Sequence, residues 1–350
     1  MTTLSGGGVG RARATMRDVA ALAGVSVKTV SRVVNGEAGV SPVMAERVRR
    51  AARQLEFQLN LGARSLRRAD GRTATIGLLL ADVDNPFCSA LHRAVENVAR
   101  RRGVAVIAGS VDEDPAREQE LVAAFASRRV DGLIVMPAGR KHAYLLPEQR
   151  AGTAMVFVDR APGIHEADVV LADNREGAEA GVAHLLRQGH RSIGFLGDSA
   201  RITTAALRHT GYLDALRVAG VPASGQPAVH EVHSVEAAEA ATRAMLTGAH
   251  PPSALFTAQN LVTIGALKAL RRLGLHRDVA LVGFDDFLLA DLLDPAVTVV
   301  AQDPVAIGTW AAERLFLRTD GDDSPFTTRV VPTRLVVRGS GEIPPRSARV

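Results

Sequence analysis

The chain is 350 residues long with 47% apolar and 23% charged residues, a balance that excludes wholesale disorder and collagen-like repeats and, at roughly 100–200 residues per domain, predicts two or three domains. No apolar run approaches the roughly 20 residues needed to span a bilayer, the N-terminal MTTLSGGGVGRARAT has no signal-peptide core, and the single cysteine, Cys88, excludes a disulfide framework, so the cytoplasm is the expected compartment. The net charge of +5 is unevenly spread: residues 1–72 hold 13 Lys/Arg against 5 Asp/Glu and the remainder 29 against 32, which directs the first fifth alone toward a polyanion.

Residues 1–14 are Gly-rich and without periodicity, which predicts a flexible tail. Thr15 with Asp18 three residues on has the form of a capping box. Met16, Val19, Ala20 and Ala23 then recur at helical spacing, and Gly24 supplies a C-cap. Ser26 caps a second helix with Val30, Val33 and Val34 on one face, ending at Asn35-Gly36. Ser41-Pro42 opens a third, with Met44, Val48, Ala51, Ala52 and Leu55 inward and Arg47, Arg49, Arg50 and Arg53 pointing elsewhere. Two short helices joined at Gly24 and crossed by a third describe a small all-α helix-turn-helix headpiece over 15–57, a unit that lays its second helix in the DNA major groove. On that helix Lys28 and Arg32 offer donors to guanine and Val27 a contact for a thymine methyl. Thr29, Ser31 and Asn35 suit phosphate oxygens. An ordinary three-helix cap is the alternative; charge, caps and apolar spacing count against it.

The stretches MRDVAALAGVSVKTVSRVVNG and VSPVMAERVRRAARQLEF resemble the DNA-binding headpiece of the lactose/galactose-repressor (LacI/GalR) family of bacterial transcription regulators. The resemblance implies a homodimer that reads double-stranded, pseudo-palindromic operator DNA, with Val27, Lys28 and Arg32 facing bases. FQLNLGARSLRRADGR is similar to the family's hinge helix, expected over 58–70. Ala63 and Leu66 match its Ala-x-x-Leu, which implies Leu66 as a minor-groove wedge of the kind that unstacks a base step. Phe57 stands where tyrosine is common and Leu59 where proline is usual, so a plain Arg-rich linker stays open as the alternative.

From Thr75 onward β-rich runs alternate with helical stretches. The runs are TIGLLL (75–80), VAVIA (104–108), GLIVM (132–136) and MVFVD (155–159), then SIGFLG (192–197), SALFT (253–257), VALVGF (279–284) and TVVA (298–301). Helical stretches include Ser89–Arg102, Arg117–Arg128, Glu176–Gln188 and Val262–Leu273. Such alternation predicts βαβ units, and the length predicts two α/β lobes. Ligands of open α/β sheets bind beyond the strands' carboxyl ends. Enzyme motifs fail there: no G-x-G-x-x-G follows a strand, GVSVKT departs from a phosphate loop, and His230, Glu231 and His233 are too close for H-E-x-x-H. Asp285 and Asp286 are adjacent on an extended strand end and point apart. No catalytic residue, metal or cofactor is expected.

The resemblance continues through DVDNPFCSAL, DGLIVMP, VFVDRAP, VLADNREGAEAGVAHLLRQGHRSIGFLG, RHTGYLDAL, VALVGFDDFLLADLLDPAVTVVAQDP and TRLVVRGS, and implies a two-lobed core like that of periplasmic sugar-binding proteins over 74–340. Its first lobe would cover about 74–172 and 303–327, its second about 173–302 and 328–340. Carried over by position, Asn85 and Phe87 belong to an Asn-Pro-Phe-Phe in which Cys88 replaces the second phenylalanine. Asp159 and Arg160 resemble a pair that holds sugar hydroxyls, Arg208 an arginine that forks onto hydroxyls or a carboxylate, and Asp285 an acceptor for ligand hydroxyls. Gln259-Asn260 stands where Asn-Asp is usual, and His233 falls near an aromatic position. The expected partners are operator DNA, a sugar-like effector and a second copy of the chain. A DNA-binding dimer without an effector, and a sugar-binding α/β protein with an incidental basic cap, are the competing readings.

Overall fold

A computed structural model describes residues 14–35, 37–57, 72–164 and 166–345, and the chain divides into two units, Met1–Thr73 and Ala74–Val350. Residues 1–13 of the expected tail and the whole expected hinge, Ala63 and Leu66 included, lie outside the described residues.

The first unit holds α1 (Met16–Ala23), α2 (Val27–Asn35) and α3 (Pro42–Gln54). Each start is capped as the side-chain chemistry dictates. Thr15 Oγ1 accepts from the Asp18 N–H at 3.4 Å while the Asp18 carboxylate accepts from the Thr15 N–H at 2.7 Å. Ser26 Oγ takes the Thr29 N–H, and Ser41 Oγ that of Met44. Gly24 sits at φ 63, where a side chain is strained and where a Cβ would meet Arg47 Nη2 at 2.9 Å. Arg47, off the inner stripe of α3 and exposed, donates to the Ala23 carbonyl at 2.7 Å, a cation answering the free carbonyls of a helix end. Val19, Ala20, Ala23, Val30, Val48 and Ala51 form the core.

The second unit contains two sheets. The first lobe has β1 (Thr75–Leu80), β2 (Ala105–Ser110), β3 (Gly132–Val135), β4 (Ala154–Val158) and β5 (Asp168–Ala172), with α4 (Pro86–Arg101), α5 (Pro115–Ser127) and the short α6 (Leu146–Arg150) between them. The second has α7 (Asn174–Arg187), β6 (Ile193–Leu196), α8 (Thr203–Val218), β7 (Ala228–Val229), α9 (Val235–Leu246), β8 (Ala254–Thr257), α10 (Asn260–Arg272), β9 (Ala280–Phe284) and β10 (Thr298–Ala301). The chain then returns through α11 (Pro304–Thr319) and β11 (Thr328–Val331) to the first sheet, and ends in β12 (Arg334–Val336) on the second.

The two sheets repeat one winding: β2-β1-β3-β4-β5-β11 and β7-β6-β8-β9-β10-β12, parallel except for β12. Apolar side chains cover both faces of each sheet, which is why β1, β3, β6, β8 and β9 read as unbroken apolar runs. The strand order reverses beside β1 and beside β6, and each reversal opens a crevice at the strands' carboxyl ends.

One boundary differs from expectation. Thr328–Val331 pairs in register with β5 of the first sheet, so the last crossing falls at Pro332-Thr333 rather than at 327. Three of these four strand residues are exposed, and an edge strand of that kind carries no apolar run to announce it. Three crossings therefore join the lobes, at 173, at 302–303 and at 332–333. Two are tied together, since the Thr333 N–H donates to Asp173 Oδ1 at 2.6 Å.

Candidate functional site

In the first unit α2 presents one polar face. Val27 is 42% exposed, and Lys28 and Arg32 are exposed. Arg32 Nε lies 3.9 Å from Glu37 Oε2 with both side chains about half in solvent, a contact that leaves the guanidinium free to rearrange. Ser31 is half-buried. Thr29 is also half-buried, its hydroxyl 2.9 Å from Ser26 Oγ, so it is built into the start of the helix. Asn35 is the last residue of α2.

In the second unit the polar residues following the strands gather between the lobes. A cavity of about 80 Å³ is lined by Asn85, Phe87, Cys88, Glu113, Asp159 and Arg160 from the first lobe, and by Asp198, Thr204, Arg208, Gln259, Asp285 and Gln302 from the second lobe and its crossing. A larger outer chamber of about 640 Å³ shares Glu113 and Ile202 with it and adds Pro115, Arg140, Arg201 and His233. The structure thus brings seven of the eight sequence-predicted cleft residues to the inner cavity. His233 sits apart, 56% exposed in the outer chamber, with Nδ1 2.5 Å from Asp198 Oδ1.

The two lobes build the cavity by the same device. Asp159 directly follows β4 and Asp285 directly follows β9, at φ 66 and 70, and each donates its N–H to a neighbouring strand, Val170 and Val300. Aspartate tolerates this left-handed backbone better than most residues. The turn takes each carboxylate off its strand, and both are 6% exposed in the shared cavity.

Each acid has an arginine. Arg160 Nε lies 3.3 Å from Asp159 Oδ2, while its two terminal nitrogens fork onto Glu113 at 2.5 and 2.7 Å, one also reaching the Pro137 carbonyl. Arg208 lies over the Phe284 ring at 3.9 Å. It donates to Asn174 Oδ1 at 2.7 Å, to the Ala258 carbonyl at 2.8 Å and to Asp285 Oδ2 at 3.4 Å. Gln302 Nε2 donates to the other Asp285 oxygen at 2.6 Å. Burial raises the Asp285 pKa, Arg208 and Gln302 oppose the rise, and Asp159's charge adds to it. Burial likewise pushes the Cys88 thiol up to about 12, so it lines the wall as an inert apolar group.

Across the cleft Asn85, the N-cap of α4, and Asn260, first residue of α10, exchange two amide hydrogen bonds of 3.0 and 3.1 Å. Gln259 beside it reaches Asp198 at 3.3 Å. Glu113, Asp198, Asn174 and Gln302 were not singled out from sequence, and Asn260 was named only beside Gln259. Glu113 and Asp198 follow β2 and β6, within reach of the general rule that ligands bind beyond the strands' carboxyl ends; the other three are placed by the crossings and by α10.

Comparison with known proteins fits both units. Residues 15–60 match the family model described as bacterial regulatory proteins, lacI family, and residues 182–341 that of a periplasmic binding protein-like domain. The HTH-type transcriptional regulator PtxS of Pseudomonas aeruginosa is 33% identical over 334 residues, covering 94% of this chain and 96% of that protein. Among solved structures, the lac repressor dimer bound to operator and the anti-inducer ONPF aligns with a TM-score of 0.79 at 26% identity, covering 94% and 99% of the two chains. A complex of the transcriptional regulator CelR with cellobiose aligns at 0.69 and 29% identity, covering 94% and 100%.

Proposed function

The chain belongs to the lacI family of bacterial regulatory proteins, and from that premise we propose that it is a repressor whose hold on operator DNA is set by a sugar-like ligand enclosed between its two lobes. It is a DNA-binding transcription regulator with an effector-binding core, and its relatives are regulators rather than enzymes. Among the described residues no helix is long and apolar enough to cross a membrane. We place the protein in the cytoplasm as a homodimer, each headpiece reading half of a two-fold operator through Val27, Lys28 and Arg32, with Thr29, Ser31 and Asn35 toward phosphates and Ala63 and Leu66 in the minor groove. In the core, residues 74–340, the ligand would meet Asn85, Phe87, Asp159, Arg160, Arg208, Gln259 and Asp285, with His233 at the mouth.

The observation that carries the effector reading is the matched pair Asp159 and Asp285, one buried carboxylate from each lobe facing one cavity. A ligand that bonds to both is bound better by the closed arrangement than by an open one, and such differential affinity is what shifts a conformational equilibrium. Carboxylates and amides suit ligand hydroxyls, and the cellobiose complex of CelR is a relative's example of such a ligand. The test is operator binding by the full chain, on sites found by genomic footprinting, with and without a panel of sugars and nucleosides. A coupling of about 1–3 kcal/mol would change operator affinity roughly 5–150-fold. Footprinted sites whose affinity no panel member moves would refute the effector reading and favour a DNA-binding dimer without one.

A further inference from the structure

The charges around the inner cavity do not balance. Four carboxylates line it (Glu113, Asp159, Asp198 and Asp285) against two arginines. Asp198 has His233 beside it. With that pair set aside, three acids still face two cations. The arginines are largely committed: Arg160 is forked by Glu113, and Arg208 is bonded through Nε and one terminal nitrogen to Asn174, Ala258 and Asp285. A ligand carboxylate or phosphate would add negative charge to a cavity that Asp159 and Asp285 already share.

Acceptors, by contrast, are left short of partners. Gln302 Oε1 is buried with no hydrogen-bond partner, its Nε2 being committed to Asp285. Asp159 meets Arg160 only edge-on at Nε, an atom that itself lacks a well-aligned hydrogen bond. Buried polar and charged groups left in this state cost free energy until a partner arrives. A hydroxyl brings one donor; an ammonium brings three and the missing positive charge.

We infer that the effector is a polyhydroxylated compound carrying an ammonium group, an amino sugar or amino polyol, held in the cavity that Asp159, Asp285 and Gln302 line. The inference rests on the small-molecule reading above and narrows it. The raised Asp285 pKa agrees with it, because an incoming cation relieves part of what burial and Asp159 impose there.

The experiment is isothermal titration of the full chain at pH 7 with matched ligands on gluco, galacto and manno scaffolds: the 2-amino and 6-amino deoxy sugars, the parent sugars and the uronic acids. An amino sugar should bind at least roughly tenfold more tightly than its parent, about 1.4 kcal/mol, with the uronic acid weakest and the amine's advantage shrinking as salt rises. Asp159→Asn, whose amide also tolerates the left-handed turn, should remove that advantage, read as the ratio of amine to parent-sugar affinity in a variant that melts cooperatively. A parent sugar or uronic acid that binds as well as the amine and releases operator overturns this inference and leaves the effector reading standing. Binding by no panel member, with operator affinity unmoved, overturns both.

Discussion

Arg208 ties three buried acceptors of the cleft together. Replacing it with methionine keeps most of the volume over Phe284 but strips donors from Asn174 Oδ1, the Ala258 carbonyl and Asp285, all buried. Removing one partner of a buried charge pair typically costs about 3–5 kcal/mol. At roughly 2–4 °C per kcal/mol for a unit of this size, Arg208→Met should lower the melting temperature by roughly 6–20 °C. Asp285→Asn should behave differently. An amide of the same shape keeps the Gln302 contact by presenting its oxygen, Arg208 keeps its other two acceptors, and a carboxylate that burial already disfavours is gone. Its cost should be smaller than that of Arg208→Met, because the one contact it removes is long, at 3.4 Å.

The pH dependence follows with a definite sign. Burial holds the folded Asp285 pKa above its unfolded value, and Arg208 is the strongest influence opposing that; without Arg208 it climbs further. A carboxyl raised in this way binds protons preferentially in the folded state, so stability falls as pH rises from the unfolded pKa through the folded one. The Arg208→Met deficit should therefore be larger at pH 7 than at pH 5, and the double variant Arg208→Met/Asp285→Asn should lose that dependence. Circular-dichroism melts at both pH values read all four proteins. An Arg208→Met melt within about 2 °C of the parent, or a deficit that grows on acidification, would refute the assignment of Arg208 as the structural centre of the cleft.

Three further outcomes are expected. Arg32→Ala should weaken operator binding by about 1–3 kcal/mol and relax preference at one base position, measured by anisotropy on single-base operator variants; an equal loss on every sequence would make Arg32 a phosphate contact. Gly211→Ala places a Cβ 2.1 Å from the Arg175 carbonyl oxygen where α8 crosses α7, so it should destabilise the core by at least about 1–3 kcal/mol in urea titration, and an unchanged midpoint would contradict that close approach. Cys88 should resist iodoacetamide in the native state at pH 7 and react only on unfolding, because it is 2% exposed and burial pushes its thiol up to about 12; stoichiometric native labelling by mass spectrometry would show that the wall opens.

Most of the first unit is legible in sequence because its determinants are local: a cap residue, an apolar repeat and a glycine fix each helix within a few positions, as Thr15, Ser26 and Ser41 do. The central strands are legible for a different reason, since strands buried on both faces read as apolar runs. What escapes is made by partners far along the chain. β7, β11 and β12 are two to four residues long, and each exists because a neighbouring strand supplies its hydrogen bonds. Arg47 belongs to a polar stripe by its spacing, and its bond to Ala23 comes from the angle between α1 and α3.

The cleft divides along the same line, and the division bears on how ligand and fold share these residues. Asp159 and Asp285 are found from sequence because a strand end is a local event, and their left-handed turns repeat because the two lobes repeat one winding. Gln302, Asn174 and Asn260 lie on a crossing segment or at the start of a helix, and their partners, Asp285, Arg208 and Asn85, are 17, 34 and 175 residues away. Two of those three contacts disclose how the arginine and the second aspartate are already committed before any ligand arrives. Arg208, which the resemblance assigns to the ligand, commits Nε and one terminal nitrogen to the protein, while Asp159 has a single edge-on neighbour. The Asn85–Asn260 pair, bonded across the lobes in both directions, holds the cleft shut beside them. On the reading proposed above, the carboxylates and Gln302 act as acceptors, and the affinity of the site for ligand depends on the approach of the two lobes, because neither aspartate completes the cavity alone.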